Sequence, residues 1–179
     1  MMPCARPPHR DSPDVSAEHR LAMLQLAIKD EPGLLADDRE LRREGLSYTV
    51  DTLQALRREL GGTTSLTLCI GMDSLVNLAS WHRWQALTDF AHLVVVARPG
   101  WQAPDNGPVA RWLKDRQAMD MAALNEAPSG RVLVKAMTLL PVSSTELRQG
   151  LVEGKSMRYL VPDAVLTYIK EHNLYAKVI

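Results

Sequence analysis

The chain has 179 residues, 46% of them hydrophobic, with 21 basic and 21 acidic side chains. That length and apolar content suit one domain of ordinary size with a real core. Zero formal net charge excludes a general nucleic-acid binder, which needs a basic excess against phosphates, yet leaves room for a local cluster around a small phosphorylated ligand.

The opening MMPCARPPHR is odd for a terminus, which is ordinarily frayed and polar. It reads as the end of a buried strand running into a functional loop. Ser16 is placed to cap a helix with Leu21, Leu24 and Ile28 on one face. GLLAD, around Leu34 to Asp37, is a weak strand candidate. Ser47 or Thr49 opens a second helix, with Leu53, Leu56 and Leu60 as its stripe and Gly61-Gly62 as its stop. LTLCI (Leu66 to Ile70) reads as a strand, and a broken helical stretch follows from Asp73 to Phe90. HLVVVA (His92 to Ala97) is apolar throughout, as expected of a strand covered on both faces of a parallel sheet. Trp101 to Pro108 is loop-like, Pro108 to Leu124 is helical in pattern, and Ala127 to Gly130 is a loop. RVLVKAMTLLPV (Arg131 to Val142) reads as a strand in one or two pieces. Ser143 and Glu146 have capping-box spacing before Leu147 and Leu151, and Pro162 suits the first turn of a last helix, Asp163 to His172. Alternating strands and helices predict an α/β fold with a mostly parallel sheet. Cys4 and Cys69 lack metal-ligand spacing and read as reduced, mostly buried thiols. No apolar run is long enough to span a bilayer and no signal-peptide core opens the chain, so the expected location is the cytoplasm.

Open α/β sheets bind ligands at the carboxyl ends of their strands. Here MMPC is followed by ARPPHR, LTLCI by GMDS, HLVVVA by RPG, and TLLPV by SSTELR. On one rim these would gather Arg6, His9, Arg10, Arg98 and Arg148 with the hydroxyls of Ser143, Ser144 and Thr145, a set suited to phosphate. Free amides at a helix start favour anions, and Arg148 lies about one turn on from Ser144. The plainer account is that Ser143 and Glu146 cap a helix and Arg148 is solvated. Gly71 permits close backbone approach, and Asp73 suits a ribose hydroxyl or else simply caps a helix. Trp81 and Trp84 in WHRW would share one side of a helical turn, one packing in the core and the other serving as a platform for a flat ring. His82 reads as surface, and His19, His92 and His172 as structural or exposed. The amides around Tyr48 and Thr49 suit a carboxylate, unless Ser47 or Thr49 caps the helix and Tyr48 packs.

In order, PPHR, SYTVDTL, GMDSLVNLASWHRW, RPG, SSTELR and LVPDAVLTYIKEHNLY resemble bacterial nicotinate-nucleotide adenylyltransferase, from Pro3 to Tyr175. The resemblance implies a Rossmann-like nucleotidyltransferase fold in a single domain over residues 1–179. It implies adenylyl transfer from ATP to nicotinate mononucleotide, with Mg2+ accompanying ATP, and no nucleic-acid or membrane partner. It implies that Trp81 stacks on the pyridine ring and that Tyr48 and Thr49 meet its carboxylate. His9, Arg10 and Arg98 would meet phosphates, with His9, Arg10 and Arg148 the catalytic set. Gly71, Asp73, Ser143, Ser144, Thr145 and Arg148 would line the ATP side. Two other readings stand beside it: a related nucleotidyltransferase using phosphopantetheine or nicotinamide mononucleotide, and a non-catalytic nucleotide-binding module or decayed enzyme.

The family opens with a strand and a GGTFDPxHxGH segment that occurs nowhere in this sequence. MMPC then corresponds to the end of the second strand, and Met1 to an internal methionine or the edge of a fragment. Loss of a central strand leaves unpaired edges, so poor solubility and little adenylyltransferase activity are expected of the chain as written. The frame upstream of the Met1 codon is expected to encode that strand and segment without a stop. A stop codon close upstream would instead favour the binding-module reading.

Overall fold

Leu93 to Ala97 of HLVVVA are apolar without a break because that strand is covered on both faces. A computed structural model describes residues 1–6, 15–97, 102–137 and 142–175. Along the chain run α1 (Ala17–Ala27), α2 (Thr49–Leu60), β1 (Thr67–Gly71), α3 (Met72–Val76), α4 (Leu87–Phe90), β2 (His92–Ala97), α5 (Gly107–Arg116), β3 (Val132–Ala136), α6 (Ser144–Val152) and α7 (Asp163–Glu171). They fall into two compact units: Tyr48–Leu139, and Met1–Ser47 with Leu140–Ile179.

In the Tyr48–Leu139 unit the three strands are parallel in the order β1-β2-β3, with Thr67 opposite His92 and Leu93 opposite Val132. Leu93 and Val95 on one face of β2 join a cluster with Val50, Leu53, Leu75, Leu78, Leu87 and Trp112. Val94, on the other face, packs on Ala118, Leu124 and Leu133. This two-sided cover is what the unbroken apolar run requires.

Several sequence expectations need correction here. On α2 the buried side chains are Val50, Thr52 and Leu53, and Leu60 is exposed, so the seam lies in the first turns. Gly61, at φ 82°, ends that helix as expected, because a left-handed residue after the last turn favours glycine. The helix after Pro108 stops at Arg116 rather than near Leu124: Gln117 turns extended, forms a parallel bridge to Val132, and the Ala118 amide donates to Val132 O at 2.8 Å. Cys69 is exposed, on the face of β1 opposite the half-buried Leu68 and Ile70.

The amino-terminal ends of the strands are tied by two side chains. Arg57 donates to Gly61 O, Thr64 O, Phe90 O and Pro128 O, at 2.5 to 3.0 Å. His92 is fully buried. Its Nε2 lies 2.8 Å from Ala127 O, and its Nδ1 accepts from the Arg131 amide at 3.1 Å, which fixes the neutral tautomer protonated on Nε2.

In the other unit, Met1 N donates to Leu35 O and the Asp37 amide to Met1 O. That is the bonding of one parallel bridge, so the opening stub and GLLAD do pair, although too briefly to form strands. Ser16 Oγ accepts from the His19 amide and caps α1. Two histidines read as structural or exposed have structural contacts here: His19 Nδ1 lies 2.8 Å from Tyr168 Oη, and the His172 ring stacks on Tyr168 at 4.0 Å, where α1 meets α7.

Arg57→Ala is expected to lower stability by about 3 kcal/mol, because it removes both donors to the part-buried Phe90 O and leaves Pro128 O only the Leu66 amide. Arg57→Lys should recover only a minor part of this, since one ammonium cannot span the same fork. Urea unfolding checks both, and a loss below about 1 kcal/mol for the alanine variant would refute the assigned role.

Candidate active site

The register that pairs Gly71 with Val96 and Ala97 with Ala136 brings the carboxyl ends of β1, β2 and β3 to one rim. Gly71 ends β1 and is the N-cap of α3 in extended conformation. A Cβ on Gly71 would run into Asp73 Oδ1, the end of an exposed side chain, so the crowding there is with a movable carboxylate and not with the backbone. Asp73 itself is exposed, as a ribose-binding acid would need to be. Arg98 directly follows Ala97 and, like His9 and Arg10, lies outside the described residues.

WHRW is not one helical turn. Trp81 follows a 3-10 turn at Leu78–Ser80, and Arg83 adopts a left-handed conformation (φ 49°) before a second turn at Trp84–Ala86. The two indoles are thereby set apart. Trp84 meets Trp112 edge-on at 5.4 Å in the core. Trp81 is half-buried against the same cluster and keeps part of its ring in solvent. Both indoles are half-buried against the same cluster, and they reach it from separate turns rather than from one helical face.

Tyr48, not Ser47 or Thr49, is the N-cap of α2, and it makes no side-chain cap bond. The amides of Asp51 and Thr52 turn back to Tyr48 O, which leaves those of Thr49 and Val50 without an intrahelical acceptor. The Tyr48 ring lies 4.4 Å from that of His82, tilted by 36°. The structure thus joins SYT to WHRW through a pair of rings that spacing in the sequence does not reveal, since 34 residues separate them.

In the second unit, SSTELR opens α6. Ser143 Oγ accepts from the Glu146 amide at 3.1 Å and donates to Glu146 Oε2 at 2.8 Å, and the Ser143 amide donates to the same carboxylate. The capping box is complete, as the spacing predicts. Ser143 is accordingly committed to the cap. The amides of Ser144 and Thr145 stay open by helix geometry, and Ser144, Thr145 and Arg148 are all exposed on adjacent turns. Glu146 places negative charge at the same helix end, which Arg148 offsets.

Ser47, read as a possible cap of α2, has a different partner. It is buried, its amide donates to Arg6 O at 3.0 Å, and its Oγ accepts from the Arg6 amide at 3.3 Å. Cys4 lies alongside. Burial pushes its thiol up, the Glu40 carboxylate adds to the shift, and Cys4 is half-buried as a protonated thiol should be. Among the described residues, no group of three or more His, Cys, Asp or Glu is placed to hold a metal ion.

A family model described as cytidylyltransferase-like matches residues 1–150. Over 175 residues the chain is 49% identical to a probable nicotinate-nucleotide adenylyltransferase of Cellvibrio japonicus, covering 98% of this chain and 82% of that protein. The corresponding protein of Aeromonas salmonicida is 46% identical, over 98% and 81%. Among solved structures, Plasmodium falciparum nicotinic acid mononucleotide adenylyltransferase complexed with NaAD superposes with a TM-score of 0.67, over 97% of this chain and 80% of that one, at 16% identity. That likeness, with the parallel sheet, establishes the expected Rossmann-like nucleotidyltransferase fold.

Gly71→Ala is expected to fold with stability within about 1 kcal/mol of the parent, because the atom it meets ends an exposed side chain that can swing aside. A crystal structure of the variant with Asp73 unmoved would refute the crowding.

Proposed function

We propose that this chain, which belongs to the nicotinate-nucleotide adenylyltransferase family, transfers the adenylyl group of ATP to nicotinate mononucleotide, giving deamido-NAD and pyrophosphate in NAD biosynthesis. The observation that carries the choice of acceptor is the arrangement at the start of α2: open amides at Thr49 and Val50, the Tyr48–His82 ring pair beside them, and a half-buried Trp81 one residue from His82. A flat ring bearing a carboxylate matches it, with the ring on Trp81 and the carboxylate at the amides of Thr49 and its neighbour.

The chemistry is a direct displacement. A phosphate oxygen of the mononucleotide attacks the α-phosphorus of ATP. A new P–O bond forms there, the bond to the bridging oxygen of the β-phosphate breaks, and pyrophosphate leaves with that electron pair. The protein's task is to hold two mutually repelling anions in line and to neutralise charge on the leaving group. In this reading His9, Arg10 and Arg148 serve the phosphates that react and Arg98 serves the substrate phosphate. Gly71 lets the nucleotide approach the backbone, and Asp73 accepts from a ribose hydroxyl. Ser144 and Thr145 offer amides, with Ser143 holding the helix start in shape. Both units act as one nucleotidyltransferase domain. Mg2+ would accompany the ATP phosphates and neutralise part of their charge. The working location is the cytoplasm, which agrees with the lack of any described helix long and apolar enough to cross a membrane.

Pyrophosphate release with nicotinate and with nicotinamide mononucleotide tests the reading. The acid is expected to be favoured by at least about tenfold in kcat/KM, the value of one charge-assisted contact. Trp81→Ala is expected to raise KM for the acid by about tenfold, since stacking on an aromatic side chain contributes roughly 1 to 3 kcal/mol. Equal use of the two mononucleotides would overturn the assignment of the carboxylate site.

A further inference from the structure

We infer that His92 is a proton-sensitive latch on the entry to β3: its imidazole ties both ends of the Ala127–Arg131 loop to β2, and it can do so only as the neutral ring. The ring is fully buried, and backbone groups take both its nitrogens. Nε2 donates to Ala127 O at 2.8 Å, and Nδ1 accepts from the Arg131 amide at 3.1 Å. Between those two points the loop has neutral ties, with Pro128 O accepting from the Leu66 amide at 3.2 Å and the Gly130 amide donating to Ala91 O at 3.3 Å. Arg57 supplies one charged tie, to Pro128 O at 2.8 Å.

A proton can enter this ring only at Nδ1, since Nε2 already carries one. The new N–H would face the Arg131 N–H, donor against donor, and that amide would lose its acceptor. A buried cation also needs an opposite charge beside it. The surrounding elements do not bond one to the ring. Arg57 of α2 has its guanidinium on Phe90 O and Pro128 O, and its charge opposes a second cation there. Arg116 of α5 is turned to Thr88 Oγ1 and Trp112 O. Asp89 of α4, Glu126 ahead of the loop and the Arg131 side chain are exposed, where water and salt screen them. On β1 the residue opposite is the uncharged Thr67. The loop therefore has to open for the ring to charge.

Opening at this point reaches the sheet itself. Arg131 O accepts from the Leu93 amide at 2.9 Å, at the head of the ladder between β2 and β3. From there the register runs from Leu93 opposite Val132 to Ala97 opposite Ala136. A proton taken up at one end thus loosens the strand whose other end reaches the rim. The sign follows from linkage: stability rises with pH wherever the unfolded chain binds more protons than the folded one. The unfolded chain offers a free imidazole at position 92, and the folded chain excludes its second proton. The latch contributes in full on the alkaline side and is lost as the pH falls. It stands on the fold alone and does not depend on the proposed reaction.

The test is urea unfolding of the full 179-residue chain between about pH 8 and about pH 5, the range in which a histidine changes charge. The parent is compared with His92→Asn and His92→Gln, whose amides offer a neutral donor and acceptor and do not titrate. Toward acid, the parent's unfolding constant divided by each variant's is expected to rise by up to about tenfold per pH unit, the value for one linked proton. Over the same range the Arg131 amide of the parent should lose protection against hydrogen exchange, after correction for the intrinsic rate. A ratio that stays constant with pH overturns the inference, because every other titrating group is common to the three proteins. Should neither variant fold, the nitrogen chemical shifts of the parent's ring decide. A ring that stays neutral until the Arg131 amide opens supports the latch, and a ring that charges while that amide stays protected overturns it.

Discussion

A parallel sheet leaves backbone groups without ladder partners where each strand begins, and this fold meets that constraint with Arg57. One guanidinium collects carbonyls from the end of α2, from the turn before β1, from Phe90 ahead of β2 and from Pro128 ahead of β3. His92 closes the remaining gap between β2 and the loop ahead of β3, with one ring nitrogen accepting and the other donating. Hydrogen bonds from the charged guanidinium contribute about 1.5 to 3 kcal/mol net and the neutral ones of His92 about 1 kcal/mol, and a buried carbonyl stranded without a partner adds its own cost. Fixing one edge of the sheet in this way sets the register, and the register sets the opposite rim, where Gly71, Ala97 and Ala136 end their strands. The rim is then free to be lined by groups chosen for chemistry, since the folding constraint has been met elsewhere.

The two helix starts that point to anion binding are finished in opposite ways. The α6 start has a full capping box, so its strongest acceptor is supplied from within by Glu146. A ligand there gains from the two remaining amides and from Arg148, against the Glu146 charge. The α2 start has no side-chain cap, and aromatic rings stand beside it in place of a hydroxyl. A small carboxylate on a flat ring gains more from the second arrangement, and a polyphosphate with its own counter-ions is better suited to the first. The proposed assignment of the carboxylate to the α2 start rests on this difference in capping.

What could be read in the sequence follows the range of the interactions concerned. Capping at Ser16 and Ser143, the stop at Gly61 and the unbroken strand His92–Ala97 are local, and each appears as read. The end of α5 was not legible, because Gln117 and Ala118 leave the helix to pair with Val132, fifteen residues away. Cys69 looked buried by its neighbours, yet which face of β1 is covered depends on helices far along the chain. The pairing of Tyr48 with His82 and the partners of Ser47 and Arg20 are likewise long-range, and spacing carries no trace of them. A buried serine ahead of an uncapped helix was the one available signal for Ser47, and it needs the burial to be known first.

The same geometry decides against a covalent route. Ser143 gives its hydroxyl proton to Glu146 Oε2, and the ring of bonds in the capping box holds it there. A serine so placed has its hydroxyl committed to the helix start, with Glu146 accepting from both that hydroxyl and the Ser143 amide. Cys4 is kept protonated by burial and by Glu40, the reverse of what a thiolate nucleophile needs. Neither side chain is set up as a nucleophile, which fits the proposed displacement, in which the attacking oxygen belongs to the mononucleotide. In that proposed displacement two bound anions have to be held in line, and the backbone anchors made by Arg57, Ser47 and Arg20 give the fold the rigidity such alignment needs.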